Sequence, residues 1–178
     1  AERVTCRLPT EAEWEYACRA GSAGAWSFGD DRTRLKDCAW YLANTKLAGR
    51  DFPQRVGQKH PNAWGLYDMH GNVWEWCQSL KIAYPYRHDD RENLQTWGPR
   101  VIRGGAWIGE PASLGCAARS GALPSGFDYA LSGFRVVVIT GTAAPPPQAP
   151  ALTPPSALAP SAKPRAAGAR LPGVLAAF

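Results

Sequence analysis

From Leu8 to Gly21 the chain reads L-P-T-E-A-E-W-E-Y-A-C-R-A-G, with Trp14, Ala17 and Cys18 at helical spacing among charged positions. That spacing predicts one short amphipathic helix. Thr10 is its N-cap, Glu13 completes a capping box three residues on, Pro9 sets the entry and Gly21 the stop. From Ser22 to Pro61 periodicity fades and turn formers multiply. Such a stretch predicts long, ordered loops with short strands, held by Trp26, Trp40 and Trp64 rather than by regular elements.

The run Asn62–Trp76 is denser than an ordinary helix or strand allows. It sets four aromatics, two glycines and two carboxylates into fifteen positions. Gly65–Trp76 predicts a tight turn feeding a strand. Arg100–Trp107 (R-V-I-R-G-G-A-W) and Leu131–Thr140 are β-branched and glycine-bounded, and predict two strands of one antiparallel sheet. Gly104-Gly105 marks a bulge or a close backbone approach. Between those strands, Ile108–Ser132 is small, polar and irregular, the pattern of an exposed loop held at both ends and suited to binding.

After Thr140 the character changes. Nine of the chain's 16 prolines fall in Gly141–Phe178, among alanines. We therefore divide the chain into a folded domain, 1–140, and a Pro/Ala-rich tail or linker, 141–178, too poor in buriable side chains to offset its ordering entropy. Of the +5 formal charge, the tail's Lys163, Arg165 and Arg170 supply +3, leaving +2 on the rest. Those cations are scattered, so the balance gives no footprint for nucleic acid. No apolar run reaches the ~20 residues of a membrane span.

Chemistry-bearing residues are few. Cys6, Cys18, Cys38, Cys77 and Cys116 form no C-x-x-C pair and no zinc-type Cys/His spacing, and read as small hydrophobes. His60, His70 and His88 read as surface or hydrogen-bonding residues. Arg103, Arg119 and Arg135 suit buried pairing with a carboxylate such as Glu75 or Asp68. Asp68 and Glu75 flank the Gly71 turn in D-x-x-G-x-V-x-E. Two carboxylates with turn carbonyls could hold a hard cation, or could cap amides and meet arginine.

Four ordered blocks, R-L-P-T-E-A-E-W-E-Y-A, the Asn62–Trp76 run, R-V-I-R-G-G-A-W and G-F-R-V-V, resemble the formylglycine-generating-enzyme (sulfatase-modifying-factor) domain family over Arg7 to Ile139. The resemblance implies an α+β, C-type-lectin-like fold, loop-rich with little regular secondary structure. It also implies an N-terminally truncated chain, since family members carry a segment before the first block. Carried over residue by residue, it implies a structural calcium at Asp68 and Glu75 side chains and Gly71 and Val73 main-chain oxygens. A second calcium site of some members has no counterpart in the loop after Asn44. A disulfide between Cys18 and Cys116 is implied too, worth about 4 kcal/mol in an oxidising compartment.

Oxidases of the family hold copper(I) on two cysteines just upstream of the C-A-A-R-S segment, a soft ion on thiolates. Here that loop is I-G-E-P-A-S-L-G, then Cys116, so copper is not expected. The frame also resembles the variable proteins of diversity-generating retroelements, in which this loop varies to change ligand. Three readings follow. The favoured one is a non-catalytic module recognising a protein or glycan through Trp107, Ile108, Glu110, Ser113, Phe127, Asp128 and Tyr129. The others are a formylglycine-generating oxidase acting on a sulfatase cysteine, and an accessory domain of a larger enzyme or kinase.

Overall fold

The computed structural model describes residues 4–85, 92–126, 130–140 and 174–175. The elements are β1 (Val4–Arg7), α1 (Glu11–Arg19), α2 (Leu35–Cys38), β2 (Trp74–Leu80), β3 (Arg100–Arg103), β4 (Arg119–Ala122), β5 (Ser132–Gly133), β6 (Val136–Thr140) and β7 (Val174–Leu175), with short 3-10 turns between. Two short helices and two small sheets make an α+β, loop-rich architecture.

Helix α1 forms as its sequence dictates. The Thr10 hydroxyl accepts from Glu13 N–H, and the Glu13 carboxylate accepts from Thr10 N–H at 2.8 Å, closing the capping box. Ala20 adopts the left-handed conformation at the C-cap, one residue ahead of Gly21. The helix buries Glu11, Trp14, Ala17 and Cys18. Trp14, Cys18, Met69, Cys77, Val101 and Cys116 build the main core, and Trp26, Leu35, Ala39 and Leu114 a second one.

The larger sheet has strand order β4-β3-β2-β5. Its central strand β3 is buried from Val101 to Arg103, which is why two β-branched residues stand there. Strand β2 alternates with period two, but its buried side carries Glu75, Cys77 and Ser79 while Trp74, Trp76 and Gln78 are half-exposed. The core wall is polar, and each buried polar group has to find a partner.

The expectation of one antiparallel sheet from Arg100–Trp107 and Leu131–Thr140 is corrected by the pairing. Residues Ser132–Gly133 lie parallel to β2, at Trp74 and Glu75. The chain then crosses, through exposed Phe134 and buried Arg135, to β6, which pairs antiparallel with β1 in a separate sheet of order β1-β6-β7. A run of β-branched residues fixes strand character but not the partner. The buried Arg135 marks where the chain leaves one sheet for the other. Within 108–132, Arg119–Ala122 is strand β4 against β3, and Leu114 and Cys116 are buried. Among the described residues, the expected loop is thus interrupted by a strand and by buried positions rather than being one exposed span. Of the three tryptophans expected to hold Ser22–Pro61 and its flank, Trp26 is buried, Trp40 is half-buried beneath Lys59, and Trp64 is exposed. Trp14 instead anchors the centre.

Among the tail residues, Val174–Leu175 pair with Val136 and Val137. The rest of 141–178 lies outside the described residues, as does His88.

Candidate functional site

The turn between Asn62 and Trp76 ties the domain together. Asn62 accepts from the N–H of Trp64 and of Leu66, and donates to the carbonyls of Ala17 and Cys18, stitching the turn to the end of α1. Asn72 pairs both ends of its amide with the Gln54 backbone, and its own N–H donates to Trp40 O. Asp68 and Asn72 hold positive φ, 55° and 63°. Gly71 has no alternative, since at φ 80° a Cβ there would lie 2.0 Å from the Trp40 carbonyl oxygen.

Glu75 points into the core, where Arg135 clamps it two-pronged at 2.5 and 2.6 Å and the Trp14 indole donates at 2.6 Å. Arg135 also donates to Tyr67 O at 3.1 Å, so one guanidinium joins β2, the turn and the crossing strand. The neighbouring Asp68 carboxylate accepts from Gly57 N–H at 2.7 Å. Burial pushes its pKa above the ordinary carboxylate value; the Gly57 bond opposes this, the Glu75 charge adds to it, and Arg135 opposes it. Arg135 therefore has the carboxylate partner expected of it in Glu75. Arg119 does not: it grips Glu11 in a two-pronged pair at 2.7 and 2.8 Å. Arg103, wholly buried, lies between Glu11, at 3.2 Å, and Glu15, and donates to the carbonyls of Cys116 and Ala118. The arginines are struts of the scaffold.

The segment after β3 is shaped by two glycines and a tryptophan. A Cβ on Gly105 would press within 2.9 Å of the Ser113 carbonyl oxygen, so the chain doubles back tightly. Trp107 is buried; its indole donates to Ala130 O, its N–H to Asn72 O, and its carbonyl accepts from Thr45. It is an anchor beneath the loop rather than a displayed contact. Ile108 and Glu110 stand in solvent, and Ser113 is half-buried, its hydroxyl donating to Glu110 O. Phe127, Asp128 and Tyr129 lie outside the described residues.

Cys18 and Cys116 are free thiols in contact, Sγ to Sγ 3.5 Å, at the centre of the main core. His70 lies beside them and is buried, where a surface residue was one of the expected alternatives. Its ring meets Ser27 and Leu114 O. Burial, against the Leu114 bond, draws its pKa down to about 4, so the ring is neutral. Linear spacing gave no hint of this grouping, since 52 and 46 residues separate His70 from the two cysteines. His60, by contrast, is exposed.

The family model of the sulfatase-modifying factor enzyme 1-like domain matches residues 1–139. The chain belongs to this sulfatase-modifying-factor family. It is 38% identical over 113 residues to the formylglycine-generating enzyme of Streptomyces coelicolor, covering 57% of this chain and 36% of that protein. It is 36% identical over 124 residues to the serine/threonine-protein kinase pkn1 of Chlamydia pneumoniae, covering 67% of this chain and 19% of the kinase. Among solved structures, Treponema denticola variable protein 1 superposes with a TM-score of 0.63 at 35% identity, covering 75% of this chain and 47% of that one. The sulfatase-modifying-factor domain seen here therefore spans about a third of the enzyme, a fifth of the kinase and half of the variable protein. The fold is that of the family, and its relatives include both an enzyme and a variable protein.

Proposed function

We propose that this domain is a recognition module that displays the surface after β3 to a protein or glycan ligand. The observation that carries the reading is the build of residues 107–116. Trp107, Leu114 and Cys116 are buried as anchors, while Ile108 and Glu110 project into solvent between them. The segment Ile108–Gly115 holds no cysteine, so a thiolate pair for copper is not supplied from it. The likeness to a variable protein supports the same reading. Such a surface has a rigid base and an apolar and an acidic side chain at its tip, a combination that engages mixed surfaces.

The test is binding of the full chain to panels of immobilised glycans and peptides, repeated with Ile108→Asp and Glu110→Lys. These exposed substitutions leave the melting temperature in place and remove the bound ligand. A ligand held equally by both variants would place recognition elsewhere.

Similarity to formylglycine-generating enzymes favours a second reading, oxidation of a sulfatase cysteine to an aldehyde. That reaction needs a metal-binding thiol pair open to a peptide substrate, whereas the sulfurs in contact, Cys18 and Cys116, are buried in the main core, and Cys6, Cys38 and Cys77 lie on other parts of the fold.

A calcium ion at the Asp68 turn belongs to this proposal as a structural clamp. Asp68 is a buried carboxylate whose charge is not matched by its Gly57 bond, and it fits a cation. Glu75 is already paired with Arg135, so its share in the ion would be through an oxygen it also offers to the guanidinium. Main-chain oxygens of Gly71 and Val73 would complete the protein's part. The ion would supply fixed positive charge that locks the turn.

A further inference from the structure

The main core contains a cluster whose chemistry neither the fold nor the proposed binding surface uses. Cys18, His70 and Cys116 are each at least nine-tenths buried, and one ligand atom from each lies within 4.8 Å of the other two. They come from α1, the Asn62–Trp76 turn and the segment before β4, so the whole domain must fold to gather them. The buried polar ring of His70 is matched by Ser27 and Leu114, which it joins across the core.

The imidazole is held as a metal-binding imidazole is held. Leu114 O can only accept, so the 2.7 Å contact at Nδ1 fixes the proton there. Nε2 is then the acceptor: it takes the Ser27 backbone N–H at 3.2 Å, lies 2.8 Å from the Ser27 hydroxyl, and has the Cys18 sulfur at 4.0 Å. The edge of the ring of Phe28 packs against the imidazole, and the carbonyl bond sets its tilt. The two sulfurs lie 3.5 Å apart. A tetrahedral zinc with Zn–S about 2.3 Å and Zn–N about 2.05 Å separates sulfurs by about 3.8 Å and sulfur from nitrogen by about 3.6 Å. Those two spacings need adjustments of a few tenths of an ångström, the third lies within 4.8 Å, and Nε2 has to turn away from the Ser27 N–H and hydroxyl.

We infer that Cys18, His70 and Cys116 form a buried, soft-metal site for zinc(II), with the Ser27 hydroxyl as the oxygen donor nearest to hand. That hydroxyl is 2.8 Å from Nε2, and the Met69 carbonyl oxygen 3.7 Å from the Cys18 sulfur. An oxygen in fourth place suits zinc better than copper(I), which favours soft donors alone. Binding replaces two S–H bonds by two Zn–S bonds and releases two protons, with no change in oxidation state. The product carries no net charge: two thiolates, a neutral imidazole and a divalent cation. Burial, with the Cys116 sulfur adding to it, pushes the Cys18 thiol well above its ordinary value, and Arg103 and Arg135 oppose that rise, so the metal has to displace a firmly held proton. The site excludes a disulfide between the same two sulfurs, so the chain holds zinc only while they are reduced.

The test uses the full 178-residue chain, purified with a phosphine reductant, stripped with chelator and titrated with zinc(II), cobalt(II) and copper(I) separately. The expected result is one zinc per chain, and cobalt spectra showing thiolate-to-metal charge transfer with tetrahedral visible bands. His70→Gln and Cys116→Ser would each weaken zinc binding at least a hundredfold, while Cys6→Ser would leave it unchanged. Because core variants can unfold, native alkylation of the wild-type chain mapped by mass spectrometry provides a second reading. Zinc should slow modification of Cys18 and Cys116 at least tenfold more than that of Cys38 and Cys77. Equal slowing of all four, retention of copper(I) but not zinc, or a Cys18–Cys116 disulfide that survives reductant in the folded chain would each overturn the inference.

Discussion

Removing the Arg135 side chain should cost more stability than any other single truncation of a polar residue in β2, β5 or the crossing between sheets. Arg135 is 3% exposed and its partner Glu75 2%. Arg135→Ala leaves the Glu75 carboxylate buried, with the Trp14 indole, at 2.6 Å, as the one donor shown to be left to it. Stranding one member of a buried ion pair costs about 3–5 kcal/mol, against a total of about 5–15 kcal/mol for a domain. The loss of the Tyr67 bond at 3.1 Å acts in the same direction. Urea unfolding followed by tryptophan fluorescence reads the effect. With a slope of about 2 kcal/mol per molar, the midpoint falls by about 2 M. Replacing the pair together, Glu75→Leu with Arg135→Met, should recover much of that loss, because an apolar pair strands no charge. A midpoint shift below about 0.5 M for Arg135→Ala at unchanged slope would refute the reasoning, as would a double variant whose loss equals the sum of the single ones.

Gly71→Ala drives a Cβ to within 2.0 Å of the Trp40 carbonyl oxygen at a positive φ, and should prevent folding or cost about 4 kcal/mol or more; soluble yield and thermal melts check it. Calcium added in excess to chelator-treated protein should raise the melting temperature, by about 2.7 kcal/mol of stabilisation at a hundred times its Kd. Asp68→Ala, which removes the side-chain oxygen, should erase that response; a melt indifferent to calcium would remove the ion from the account. In reduced, metal-free protein, His70 is neutral down to about pH 4 while the unfolded chain takes up its proton near 6.5. Stability is therefore full above pH 6.5 and declines as pH falls toward 4, by up to about 3 kcal/mol, and His70→Gln should flatten that decline in denaturation series across this range.

Local features were legible in the sequence because they act over a few residues. The Thr10–Glu13 capping box, the Gly71 turn and the strand character of R-V-I-R all follow from nearest-neighbour chemistry. Partner choice was not. Nothing in Val136–Thr140 says that it pairs with β1 rather than β3, and nothing near Arg119 points to Glu11, 108 residues away. The Arg135–Glu75 pair was within reach because both residues lie in family motifs, whereas Asn62 and Asn72, which stitch loops to the helix end and to Gln54, carry no signal beyond their place in a turn-rich run. Trp107 looked like a displayed aromatic since tryptophan commonly serves at binding surfaces, yet its indole is consumed by Ala130 O. The Cys18–His70–Cys116 grouping escaped for the same reason as the sheet pairing: three-dimensional neighbours drawn from three separate segments leave no periodic trace.

On the proposed function, the surface after β3 binds a ligand and does not oxidise a thiol. Incubating the full chain with copper(I), oxygen and a sulfatase-derived cysteine peptide, then weighing the peptide by mass spectrometry, addresses it most directly. Formylglycine should not form above the rate in a protein-free control. Catalytic turnover of the peptide to its aldehyde, many equivalents per chain, would contradict that reading.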